Sequence, residues 1–122
     1  MSATYIIIIA LLSLAVSLGI YLLSFVLRSK VTPKAVAFIH GPLAVAAIAL
    51  LIVYSVKHHI ADYTGAIAIL GFTMLAGIAL IVRDLRGKPL PKSLAVVHGI
   101  LASYGFIFLI LFIFAHEHLF RT

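Results

Sequence analysis

Four apolar runs, residues 4–27, 35–56, 63–82 and 94–114, alternate along the chain with three short polar segments. Each run approaches or exceeds the ~20 residues that a helix needs to cross a hydrocarbon core ~30 Å thick. The pattern predicts an all-α membrane protein with four transmembrane helices. Connections this short force neighbouring spans to be antiparallel, so the expected architecture is an up-down-up-down bundle, one integral membrane domain over residues 1–122. The first run is not read as a cleavable signal peptide. It has no basic segment before it, it is long, and Arg28-Ser29-Lys30 stands where a small-residue cleavage site would be.

A second pattern is laid over the first. When the chain is slid along itself, Pro33-Lys34-Ala35-Val36-Ala37-Phe38-Ile39-His40-Gly41 falls on Pro91-Lys92-Ser93-Leu94-Ala95-Val96-Val97-His98-Gly99. The same offset pairs Tyr5 with Tyr63, Gly19 with Gly77, Arg28 with Arg86 and His58 with His116, and about a third of aligned positions are identical. A fixed, gapless period of this kind predicts two tandem two-helix repeats, at about 4–59 and 62–118. Such repeats are related by an approximate two-fold axis along the membrane normal. The second and fourth spans then lie diagonally, and their matched residues can face one another.

Composition sharpens this picture. Only 10% of residues are charged, against about a quarter in a soluble domain. The net charge of +6 is not spread as a nucleic-acid surface would need. Arg28, Lys30 and Lys34 cluster after the first span and Arg83, Arg86, Lys88 and Lys92 after the third, leaving only Lys57 and Arg121 toward the other end. By the positive-inside rule both basic loops are expected in the cytoplasm and both termini outside, in a membrane such as the bacterial inner membrane. The lipid bilayer is the expected partner and nucleic acid is not. The absence of cysteine excludes disulfides, iron–sulfur clusters and thiolate metal sites.

The candidate chemistry rests on four histidines. His40 and His98 lie about six positions inside the second and fourth spans, ~9–10 Å along each helix. A titratable side chain at that depth is costly and by default marks a functional site facing the bundle interior. Two neutral imidazoles opposed across a two-fold axis suit the two axial faces of a haem iron. Gly41 and Gly99 follow these histidines where a side chain would crowd a macrocycle. Gly19 and Gly77 are expected a little deeper, where a porphyrin would press on the first and third spans. The basic loops could then meet its propionates. The bland alternative is that His40 and His98 only bond neighbouring helices together.

The step from His40 to His58, repeated from His98 to His116, is about five whole helical turns, so each outer histidine shares a face with its inner partner. Three readings compete for His58 and His116: a second, outer bis-histidine haem, a metal site with His59, Asp62, Glu117 and His118, or solvated interface residues.

With two histidines on each of two spans, His40 and His58, His98 and His116, the chain resembles the cytochrome b561-like membrane b-type cytochromes. The resemblance is one of pattern, and in that family the two histidines of a span usually stand closer together. It implies haem b, one or two per chain, and transmembrane electron transfer, with a quinone or a redox protein as partner. Such a protein works alone, as a homo-oligomer or as the anchor of a larger complex, and where it has a quinol site it is a quinol-linked oxidoreductase. Two other classes remain beside it: a cofactor-free accessory subunit of a membrane complex, and a small transporter. The transporter reading lacks a carboxylate in mid-span, since Asp62, Asp84 and Glu117 all fall at span ends.

Overall fold

In a computed structural model, which describes residues 2–120, four long helices carry the chain. They are α1 (Ala3–Leu27), α2 (Lys34–Lys57), α3 (Thr64–Leu85) and α4 (Lys92–Phe120), with one 3-10 turn at Ala61–Tyr63 leading into α3. All four are long and apolar enough to cross a membrane. Large apolar side chains such as Ile20, Val53, Phe72 and Leu111 stand on the outside of the bundle. Arg121 lies outside the described residues.

The three helix ends that lead into connections close in the same way. At each, a residue with positive φ (Ser29 at 55°, His59 at 55°, Gly87 at 69°) reverses the chain. The next residue's N–H then returns to a carbonyl five positions back: Lys30 to Phe25, Ile60 to Ser55 and Lys88 to Arg83. This Schellman closure satisfies carbonyls that the helix leaves without partners. The helix starts are simpler: Pro33 precedes α2, where its missing N–H costs nothing. Pro42 sits inside α2, which continues past it as helix. The last helix runs to Phe120, beyond the expected end of the fourth span, so His116, Glu117 and His118 are helical.

Helix α1 packs chiefly on α2 and also on α4; α3 packs chiefly on α4 and also on α2. The diagonals are therefore α1/α3 and α2/α4. At the end that holds the basic loops, the Thr32 hydroxyl donates to Asp84 (2.8 Å) and Lys34 Nζ pairs with the same carboxylate (2.7 Å). This ties the first loop to the end of α3.

The bundle interior is not uniform. At the end away from the basic loops, Tyr5, Ile8, Leu12, Leu51, Tyr63, Leu70, Leu109 and Ile113 are buried in one apolar cluster with small residues such as Ala47 and Ala66. Toward the basic loops the helices leave a largely apolar, partly open cavity of about 760 Å³.

Candidate functional site

The cavity is where the inner histidines meet. His40 on α2 and His98 on α4 both line it, with Gly19, Gly41, Gly77 and Gly99. Their ring centroids are 6.2 Å apart and the ring planes are nearly perpendicular, at 84°. Each ring is anchored to the helix that precedes its own. His40 Nδ1 lies 2.7 Å from the Ala15 carbonyl of α1, and His98 Nδ1 lies 2.9 Å from the Thr73 carbonyl of α3. A carbonyl oxygen only accepts, so Nδ1 is the protonated nitrogen in both rings. In the neutral form of each ring Nε2 then carries the lone pair. Ala15 and Thr73 are themselves matched positions of the repeat.

The glycines of α1 and α3 lie against the histidine rings. A Cβ built on Gly19 would come within 2.9 Å of His40 Cε1, and one on Gly77 within 3.0 Å of His98 Cε1. Their bare backbones make room for the imidazole edges, so they seat the histidines. A Cβ on Gly41 meets nothing within 4 Å, and one on Gly99 meets only Leu23 at 3.5 Å. Those two leave open space in the cavity wall beside each histidine.

The spacing of the rings matches that of two imidazoles on one metal ion, while the Nδ1–Cε1–Nε2 edge of each ring lies against the glycine of α1 or α3. Nitrogens of two imidazoles bound ~2.0–2.1 Å from one ion on opposite sides place the ring centroids ~6 Å apart. An Nδ1–H donated to a backbone carbonyl is the outer contact that fixes tautomer and orientation in metal-ligating histidines. The cavity volume lies within the ~300–1,000 Å³ range of small-molecule and cofactor sites. By residue type and position, His40 and His98 beside an apolar cavity are the residues that would hold a haem if one binds.

The outer histidines are placed differently. His58 caps α2 and is exposed, with its ring 4.3 Å from that of Tyr54. His116 lies on α4 with its ring 6.3 Å from Tyr63. Tyr54 in turn touches Tyr5 (4.7 Å between centroids), and the Tyr63 hydroxyl donates to the Tyr5 hydroxyl at 2.7 Å. A row of tyrosines therefore links the two outer histidines, and the hollow beside His116 measures only about 110 Å³. His59 and Asp62 are exposed, and His59 is the positive-φ residue that closes α2. Among the described residues no three His, Cys, Asp or Glu side chains come together to hold a metal ion. The expected nitrogen and oxygen set at this end, His58, His59, Asp62, His116, Glu117 and His118, is thus not assembled as a metal centre.

Two participants have no sequence signal of their own: the carbonyls of Ala15 and Thr73. Every residue has a carbonyl, so composition cannot mark these. The one available clue is position, since each stands one helical turn before the repeated glycine. In the sequence Asp84 is only a charge at a span end, yet with Thr32 it lines the cavity. No protein-family model, curated protein or solved structure matches this chain.

Proposed function

We propose that this chain is a small membrane b-type cytochrome that carries one haem between His40 and His98 and transfers electrons across or within the bilayer. The observation that carries the reading is the matched pair of Nδ1–carbonyl bonds on rings 6.2 Å apart. It leaves two lone-pair nitrogens on diagonal helices beside a cavity large enough for a porphyrin. Four helices of spanning length, apolar on the outside, support the membrane setting. The basic loops on one side support a cytoplasmic location for the cavity end.

Bound haem would supply the one-electron chemistry. The chain's own residues do the rest. His40 and His98 offer neutral nitrogen ligands, held in one tautomer by Ala15 and Thr73. Gly19 and Gly77 let those rings lie against α1 and α3 without strain. The apolar wall, with Leu12, Val16, Ile48 and Met74, keeps water from the ligands and lowers the local dielectric, two of the levers that set a haem potential.

The reading carries a single haem per chain. At the other end the bundle centre is filled by the Tyr5–Tyr63 pair and its aliphatic neighbours, where a second porphyrin would need the core to open.

The test is an absorption spectrum and a haem-to-protein ratio on chain expressed in membranes and purified in detergent. One haem per chain is expected, with a low-spin bis-histidine spectrum. His40→Ala and His98→Ala should each abolish that spectrum, because one imidazole cannot supply both axial positions. A chain that binds no haem on expression or reconstitution, or keeps the full spectrum in both variants, overturns the proposal.

A further inference from the structure

The cavity is lined largely by matched positions of the repeat, but its chemistry is not two-fold. Among the lining positions matched by the repeat, two pairs near the basic loops differ in polarity, Val26 with Asp84 and Thr32 with Leu90. One corner, between the start of α2 and the end of α3, is therefore polar. The other, between the end of α1 and the start of α4, has Val26 and Leu90 in the equivalent places.

At the polar corner the charges are already engaged. Lys34 Nζ contacts Asp84 Oδ1 at 2.7 Å, Thr32 Oγ1 at 3.2 Å and the Thr32 carbonyl at 3.4 Å, so all three ammonium hydrogens have acceptors. The Thr32 hydroxyl donates to the second oxygen of Asp84 at 2.8 Å. Arg86 follows Asp84 closely in the chain at this same end of α3. Beside the apolar corner, two residues after the lining Leu90, the matched cation Lys92 is exposed and has no hydrogen-bond or ion-pair partner among the described residues. Two other cations near it are engaged: Arg28 is turned back on the Ser24 carbonyl and hydroxyl and over the Phe25 ring, and Arg83 donates to the Pro89 carbonyl beside Leu90. No carboxylate stands at this corner among the described residues, because the position of Asp84 is taken by Val26.

We propose that this asymmetry gives the cavity a direction: its occupant carries carboxylates on one edge, and that edge is bound at the Lys92 corner. Asp84 excludes it from the Lys34 corner by occupying the lysine and repelling a second anion. The inference rests on the haem reading, for which the carboxylates are the two propionates. A pseudo-symmetric pair of ligands would otherwise accept the haem in two orientations, and one acid at the cavity wall removes the degeneracy. Lys92 is a positioning residue in this scheme and does not touch the iron.

The experiment compares haem b with its dimethyl ester, which has the same iron and macrocycle but no carboxylates, for binding to the haem-depleted full-length chain in detergent. A charge-assisted contact should make the wild type prefer the free acid about tenfold. Lys92→Gln should remove most of that preference, Lys92→Arg should keep it, and Lys34→Gln should leave it unchanged. The exchange variant Asp84→Val with Val26→Asp should reverse the dependence, so that Lys34→Gln in that background becomes the damaging change. Circular dichroism of each haem-depleted variant separates lost recognition from lost helix. No preference in the folded wild type, full preference in folded Lys92→Gln, or equal loss in Lys34→Gln overturns the proposal. In each of these cases binding that still depends on His40 and His98 leaves the haem reading standing. Binding insensitive to both histidines sinks that reading instead.

Discussion

The two halves of this bundle are built at matched positions of one repeated pattern and end in opposite states. Toward the basic loops, Gly19 and Gly77 face the edges of His40 and His98, and the space between the diagonal helices stays open. Toward the other end, Tyr5 and Tyr63 reach the same central region, bond to each other at 2.7 Å, and are almost wholly buried among aliphatic side chains. Both halves place a polar aromatic group near the centre and satisfy it with a hydrogen bond, as a buried polar group requires. The difference lies in what is left over. The tyrosine hydroxyls face each other and fill the gap. The histidines turn Nδ1 sideways to a neighbouring helix and keep Nε2 uncommitted. A buried polar group that is satisfied on one side and open on the other, beside a cavity, is the arrangement of a binding site. One that closes on its own symmetry mate is a structural lock.

This contrast can be broken at several points. The largest effect is expected from filling the room beside a histidine. In Gly19→Leu or Gly77→Leu the new side chain must enter space already occupied within 2.9 or 3.0 Å of its first atom. The imidazole would swing from its carbonyl, and the low-spin haem spectrum should be lost as fully as in a histidine deletion. Retention of the wild-type spectrum in both variants would mean that these glycines do not seat the rings.

A smaller and separate effect is expected at the tyrosine lock. Removing one hydroxyl, as in Tyr63→Phe, leaves a buried group on Tyr5 without this partner, at a cost of about 1–3 kcal/mol in stability. The double change Tyr5→Phe with Tyr63→Phe removes both groups and should cost less than the two single changes added together. Denaturation in detergent, followed by circular dichroism, measures this. The haem ratio should not move, and its loss would show that the two halves are not independent.

Next come the helix closures. Ser29 and His59 hold a left-handed conformation that strains any side chain, so Ser29→Gly and His59→Gly should each stabilise by about 1 kcal/mol. His59→Gly should also keep the full haem content; a metal ligand in that position would not tolerate the change. The smallest effect on haem is expected for His58→Ala and His116→Ala. Both should retain one haem per chain with an unshifted spectrum, and loss of half the haem from a two-haem protein would restore the outer pair as ligands.

The helical framework is legible in the sequence because its cause is local. A run of twenty or so apolar residues bounded by charge has one economical conformation in a bilayer, whereas Ser29 and His59, which reverse the chain at positive φ, carry no such mark in the sequence. The end of the last helix is less legible. Glu117 and His118 look like a polar tail, but nothing in Phe112–Phe120 breaks a helix, and it continues. The inner site is half legible. His40 and His98 stand out as titratable groups deep in apolar runs, and the repeat sets them on diagonal helices. Counting depth along α1 and α3 marks Gly19 and Gly77 as near the site but does not give their contact with the imidazole edges. Depth says nothing about the tilt of a neighbouring ring toward a backbone without a side chain.

The sequence by itself determined four long apolar helices, their order, the end that carries positive charge and the residues that recur. Those follow from hydropathy, connection length and period, which act between neighbours in the chain. Only the tertiary structure decided that the inner histidines bind Ala15 and Thr73 and keep one nitrogen apiece uncommitted. It also decided that Tyr5 and Tyr63 close the far half, and that Asp84 engages Lys34 while Lys92 has no acid beside it. Each of these depends on which face of one helix meets which face of another. Contacts of a few ångströms between residues many turns apart are set by packing, and neither period nor composition contains them.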